Sequence, residues 1–89
     1  MIELKRYYVY VLKSEVDGSW YIGYTEDIEN RIQQHNNGES LYTKRKIPWR
    51  IIYYEVSFDK YDAIAREKYL KTGMGRRYLK NRLKNQLNF

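Results

Sequence analysis

Two short runs of alternating aromatic and β-branched residues, set on either side of an Asp-Gly step, constrain this chain more than any other feature. Tyr8, Tyr10 and Leu12 alternate with Val9, Val11 and Lys13, and Trp20 to Tyr24 resumes the same composition after the Ser14 to Ser19 loop. Period-two alternation of such side chains suits a half-buried strand. Asp17-Gly18 tolerates a reversal, so Tyr7 to Lys13 and Trp20 to Tyr24 predict an antiparallel pair joined by more than a two-residue turn. That pairing brings Tyr10 and Tyr21 near each other.

The rest of the chain supplies helices and one more strand. Thr25 is the expected cap of a first helix over Asp27 to Asn36, with Glu26 and Asp27 at its positive end and Asn37-Gly38 closing it. Ile28, Arg31, Ile32 and His35 recur at helical spacing, which puts an arginine and the chain's single histidine on the isoleucine face. Glu39 to Ile47 reads as a basic loop carrying Lys44, Arg45 and Lys46, and Pro48 begins the exit from it. Trp49 to Val56 is a third strand. Asp59 caps a second helix from Lys60 to about Thr72, broken by Gly73 and Gly75. Arg76 to about Gln86 is a third, strongly basic helical segment whose apolar side is Tyr78, Leu79 and Leu83.

Eighty-nine residues leave room for one domain, 1–89, and eleven tyrosines, two tryptophans and two phenylalanines supply the bulk that so short a chain needs. The absence of cysteine excludes a disulfide framework, a thiolate metal site and a cysteine nucleophile. No apolar run approaches the about 18 residues of a membrane span, so the expectation is a cytoplasmic chain with no membrane partner.

The net charge of +6 is unevenly distributed. Residues 1–59 carry 8 Lys/Arg against 9 Asp/Glu, whereas residues 60–89 carry 9 against 2. A concentrated basic surface raises the local concentration of a polyanion, so nucleic acid is the first partner to consider; the alternative is charge that keeps exposed helices soluble. Arg76, Arg77, Lys80 and Lys84, together with Lys44, Arg45 and Lys46, are the candidate nucleic-acid-binding residues.

Glu67 does not fit a packing account. It follows Ala63 by four and Ile64 by three and precedes Leu70 by three, so apolar neighbours share its face. A carboxylate there needs a cation, a metal ion or an open cleft. The competing explanation is a half-exposed ion pair with Arg66, Lys68 or Lys71. Arg31 and His35, one turn apart, suit a phosphate group: a planar guanidinium clamps its oxygens, and an imidazole donates a hydrogen bond or exchanges a proton near neutral pH. The alternatives are an Arg31 that snorkels to Glu55 or Glu39 and a His35 that is simply packed.

In combination these positions resemble the GIY-YIG nuclease family in its short single-domain form. The two strands of the motif are Tyr8-Val9-Tyr10 and Tyr21-Ile22-Gly23, with ten residues between them. Tyr8 and Val9 stand where the family name has Gly and Ile. Arg31, His35 and Glu67 in Ala65-Arg66-Glu67-Lys68 follow in register, and the resemblance runs from about Tyr7 to Leu83. It implies a small α/β (α+β) fold, a three-stranded antiparallel sheet flanked by about three helices. It also implies Mg²⁺- or Mn²⁺-dependent endonuclease chemistry on DNA with little sequence specificity, or, as the alternative, a nucleic-acid-binding module that does not cleave.

By the same resemblance, the catalytic group is Tyr10, Tyr21, Arg31, His35 and Glu67. Glu67 holds the metal against the scissile phosphate and Arg31 neutralises developing charge. A tyrosine, Tyr10 in preference to Tyr21, takes a proton from the attacking water, leaving 5′-phosphate and 3′-hydroxyl ends. Two departures stand out. Tyr24 occupies the place where relatives in nucleotide excision repair carry a lysine, and the asparagine that homing-type members carry about fifteen residues beyond the glutamate is assigned to neither Asn81, at fourteen, nor Asn85, at eighteen.

Overall fold

The computed structural model describes residues 4–87. Strands β1 (Tyr7–Ser14), β2 (Trp20–Thr25) and β3 (Trp49–Ser57) form one antiparallel sheet in the order β2-β1-β3, with helices α1 (Ile28–Asn36), α2 (Lys60–Leu70), α3 (Gly73–Arg82) and α4 (Lys84–Leu87) around it. This is the expected small three-stranded α+β architecture.

The alternation of β1 sorts the core into two layers. Val9 and Val11 point to one face, where they pack with Ile22, Ile52, Ala63, Leu70, Leu79 and Leu83 from the strands and from α2 and α3. Tyr10 and Leu12 point to the other face and pack with Trp49, Tyr21 and the Ile28 and Ile32 side of α1. The central strand is therefore buried on both sides, and the helices that carry Arg31 and Glu67 lie on opposite faces of the sheet. A bulge near Val11/Leu12 in the β1–β3 pairing lets β3 serve both layers, Tyr53 opposite Val11 and Ile51 opposite Leu12.

Three local expectations need correction. Asp27, not Thr25, caps α1: its carboxylate accepts from the Asn30 amide at 3.2 Å, while the Thr25 hydroxyl accepts from the Asp27 amide one step earlier. Helix α2 stops at Leu70 rather than Thr72, and Gly73 and Gly75 are not breakers but the first turn of α3, capped by Thr72. A side chain on Gly75 would run into the Tyr69 carbonyl and the Leu70 backbone, so the glycine is what lets α3 seat against the end of α2. The basic segment divides at Leu83 into α3 and the short α4. Within the loop after α1, Lys44–Lys46 form a 3₁₀ turn, and the Ile47–Pro48 bond is cis.

Candidate functional site

The site is built around the Tyr10 phenol. Tyr10 faces Gly23 across the β1–β2 ladder, and its ring lies over that glycine: a Cβ on Gly23 would sit 2.5 Å from the phenol oxygen. The glycine of Tyr21-Ile22-Gly23 is thus a place for the ring of Tyr10 rather than a turn residue. Below the phenol, α1 supplies His35, whose Nε2 is 2.9 Å from the Tyr10 oxygen. The other imidazole nitrogen, Nδ1, is 2.7 Å from the Thr43 hydroxyl.

Burial sets the protonation of this chain of groups. His35 is completely buried, and loss of hydration, reinforced by the Arg31 charge, lowers it to about 4. Neutral imidazole donates from one nitrogen and accepts at the other. Either tautomer can satisfy two hydroxyls, but with the Arg31 guanidinium donating to the Tyr10 oxygen the phenol is left to donate to Nε2, and Nδ1–H then donates to Thr43. Burial also pushes the Tyr10 phenol up to about 12, with Arg31 pulling the other way and Tyr21 and Glu67 adding to the rise. At neutral pH both groups are uncharged.

Tyr21, on β2, has its ring tilted against His35 with centres 4.8 Å apart, and lies 6.3 Å from Tyr10 and 6.4 Å from Trp49. It is half-buried, whereas Tyr10 is 1% exposed, so Tyr21 is the phenol with a path to solvent. The Arg31 guanidinium lies against both phenols; burial opposes its charge, but hydrogen bonding and attraction to Tyr10 and Tyr21 prevail and raise it. Its Nη1 donates to Gln34 at 2.9 Å, and it pairs with neither Glu55 nor Glu39. Glu67 comes from α2 on the far face, close enough for its charge to act on the Tyr10 phenol, and is balanced by Lys71 at 3.4 Å. Tyr10, Tyr21, Arg31 and His35 therefore form one group, whereas Glu67 reaches it only through its charge on Tyr10 and makes the ion pair with Lys71 that was the competing explanation.

The structure adds residues that sequence reading did not single out. Thr43 is fully buried; besides holding His35 it accepts, through its carbonyl, the Trp49 indole N–H at 2.8 Å. Asn36 clamps the start of β3, its amide bonding the Trp49 backbone N–H at 2.6 Å and carbonyl at 3.0 Å. The signal for Thr43 was its place beside a basic run, but its partners are eight and six residues away and its role is visible only in the fold.

The basic residues do not form one surface. Lys44 and Arg45 are exposed beside the His35–Thr43 contact, with no carboxylate within ion-pair distance among the described residues. Lys46 is instead tied to Asp17 at 3.2 Å and to the Ser19 hydroxyl at 3.3 Å, pinning the loop to the β1–β2 turn. Arg76 and Lys80 line a groove with Trp20, on the sheet face opposite Tyr10. Arg77 lines a separate cavity with Met74, Tyr78 and Asn81, and Lys84 is exposed on α4. Tyr24 stacks on Tyr7 and donates to Glu26.

Among the described residues no group of three or more His, Cys, Asp or Glu side chains is placed to share a metal ion. Glu67 offers a single hard oxygen donor. That donor set suits an ion held chiefly by water and substrate oxygen, as Mg²⁺ is, and does not suit a zinc-type cage.

Residues 6–86 match the family described as the GIY-YIG catalytic domain, and the chain belongs to the GIY-YIG family. Among similar proteins, the UPF0213 protein SSP2268 of Staphylococcus saprophyticus is 41% identical over 78 residues, covering 86% of this chain and 94% of the relative. A UPF0213 protein of Lacticaseibacillus paracasei is 41% identical over 68 residues, 75% of each chain. The solution NMR structure of the UPF0213 protein BH0048 from Bacillus halodurans is 34% identical, superposes with a TM-score of 0.53, and is covered to 81% by 83% of this chain. The fold and the domain family are thereby those of a nuclease-associated superfamily.

Proposed function

We propose that the chain binds nucleic acid, DNA first, and that with a divalent ion its Tyr10, Tyr21, Arg31, His35 and Glu67 cluster hydrolyses a phosphodiester bond with little sequence specificity. The observation that carries the reading is the meeting of Arg31 and His35 with the two phenols of the β1–β2 pair, with Glu67 on the opposite face near enough for its charge to act on Tyr10. A packed core has no use for a guanidinium set against two phenols and a buried imidazole. Lys44 and Arg45, exposed next to the Thr43 that holds His35, would add phosphate contacts beside the cluster.

Glu67 is the residue that would hold Mg²⁺ or Mn²⁺. Such an ion, when bound, supplies charge stabilisation at the phosphoryl and leaving oxygens. The chain's own residues do the rest. Arg31 binds a non-bridging phosphate oxygen and neutralises charge that builds up there. Tyr21, the accessible phenol, orients the attacking water through its oxygen. Tyr10 is too well buried to meet that water and acts as a positioning residue, fixed by Gly23 on one side and His35 on the other. This reverses the preference for Tyr10 as the base.

Binding without turnover is the second reading. It is favoured by the absence, among the described residues, of a cluster of side-chain metal ligands and by a central phenol that burial holds protonated. Incubating the full chain with single-stranded, duplex and branched DNA, with Mg²⁺ or with EDTA, separates the two. Metal-dependent strand breaks support hydrolysis; salt-sensitive binding with no breaks on any substrate supports the second reading.

A further inference from the structure

The groove on the far side of the sheet, between the β1–β2 turn and α3, has no part in the cluster just described. It is lined by Lys13, Ser19, Trp20, Arg76 and Lys80, with Gly18 at its rim, and encloses about 560 Å³. Its three cations come from two distant segments. Arg76 and Lys80 are one turn apart on α3, and Lys13 reaches the same space from the end of β1, opposite Trp20 in the ladder. None of the three has a carboxylate within 4 Å among the described residues. The nearby acid, Asp17, is already engaged by Lys46 and by the Ser19 hydroxyl.

We infer that this groove is a second nucleic-acid site, and that it takes an unpaired strand. Three unbalanced cations gathered in one concavity call for a polyanion. The volume is in the range of small-ligand pockets and admits one or two nucleotides of a strand but not a double helix. Trp20, half-buried with one side against the core, forms part of the wall, and an indole beside cations is the usual platform for an unstacked base. Gly75, by seating α3 against α2, sets where Arg76 and Lys80 stand on the groove wall. The sheet separates this groove from Tyr21 and Arg31, so it holds a segment other than the one at the cluster. The inference rests on the nucleic-acid reading but not on cleavage.

Trp49 is buried and Trp20 is not, so tryptophan fluorescence reports on the groove directly. The full chain, in EDTA so that no strand is cut, is titrated with an eight-residue oligothymidylate at low salt and across a salt series. The expected result is quenching of Trp20 emission, with a blunt duplex giving little. Lys13→Gln/Arg76→Gln/Lys80→Gln should weaken oligothymidylate binding about tenfold or more and make the logarithmic salt slope shallower by about 2, since each lost contact to a single strand removes roughly 0.7. Arg31→Ala should leave the quenching in place. Trp20→Phe, which keeps the cations, should bind a fluorescein-labelled oligothymidylate more weakly while keeping the salt slope, a check that holds if the triple variant does not fold. Absence of quenching in the wild type, or equal affinity and slope in the folded triple variant, would overturn the inference.

Discussion

Tyr10 and Gly23 are register partners whose contact leaves no room for a single added carbon: the ring of one occupies the space that a Cβ of the other would need. The phenol cannot swing away, because His35 holds its oxygen at 2.9 Å in a fully buried setting. Gly23→Ala should therefore cost about 1–3 kcal/mol, the range for overpacking a closed core, and displace the phenol from His35. Urea unfolding measures the first effect. The Tyr10 ring resonances report the second, and an unshifted stability would show that the ring moves freely.

His35 gives the fold a pH dependence whose sign is fixed. Its folded value of about 4 lies below the ordinary value near 6.5, so between those limits the unfolded chain takes up a proton that the folded chain refuses. Stability contributed by the neutral ring is present above about pH 6.5 and is lost as pH falls toward 4, by up to about 3 kcal/mol. Glu55 and Asp17 are both held below their ordinary values, so the stability they contribute is present above about pH 5 and is lost only as pH falls through the foot of this window and below it. Unfolding free energies across pH 4 to 7 should slope for the wild type and flatten for His35→Gln.

Thr43 fixes which imidazole nitrogen carries the proton. Thr43→Val keeps the shape but leaves the buried Nδ1–H without an acceptor, at a cost of about 1–3 kcal/mol, and frees the ring to present the other tautomer to Tyr10. Thr43→Ser should restore most of both. Nitrogen-15 shifts of the imidazole distinguish the tautomers, and the same tautomer in the wild type and Thr43→Val would refute this role.

Much of this was legible in the sequence because short-range periodicity carries it. Alternation placed Tyr10 and Tyr21 on neighbouring strands, and helical spacing put Arg31 and His35 on one face. Asp59 as a cap followed from the same local rules, and Glu67 stood out as a carboxylate among apolar neighbours. Contacts that depend on the closed fold were not legible. Neither Thr43 nor Asn36 shows a pattern that points to its partner, and the reason for Gly23 is a side chain thirteen residues earlier. Gly73 and Gly75 read as breakers because propensity favours that; close packing of α3 on α2 overrides it. The basic residues looked like one patch because charge counts along a chain do not say which side of a sheet each residue reaches.

Glu55 and Arg66 form a second polar group, where the sequence had offered Arg31 as a partner for Glu55 and Glu67 as one for Arg66. Arg66 makes three bonds to the two carboxylate oxygens at 2.9 to 3.1 Å, Tyr53 donates a fourth at 2.7 Å, and the guanidinium sits 4.9 Å from the Tyr78 ring centre. Burial opposes the Glu55 charge, but these bonds win and hold it low. Arg66→Ala leaves a half-buried carboxylate unpaired and should cost about 1–3 kcal/mol of stability without changing DNA affinity. A variant that keeps its unfolding midpoint but loses DNA binding would instead move Arg66 into the nucleic-acid interface.

The most direct test of the proposed chemistry compares cleavage and binding in the same preparations of wild type and Glu67→Gln. With Mg²⁺ or Mn²⁺ the wild type should break DNA strands and EDTA should stop it. Glu67→Gln should bind the same DNA within about twofold while cutting about a hundredfold or more slowly, the size expected for loss of a group that acts mainly in the transition state. Cleavage by Glu67→Gln at the wild-type rate would contradict the assignment of Glu67, and a wild type that binds every substrate yet cuts none with either ion would leave a nucleic-acid-binding protein in place of a nuclease.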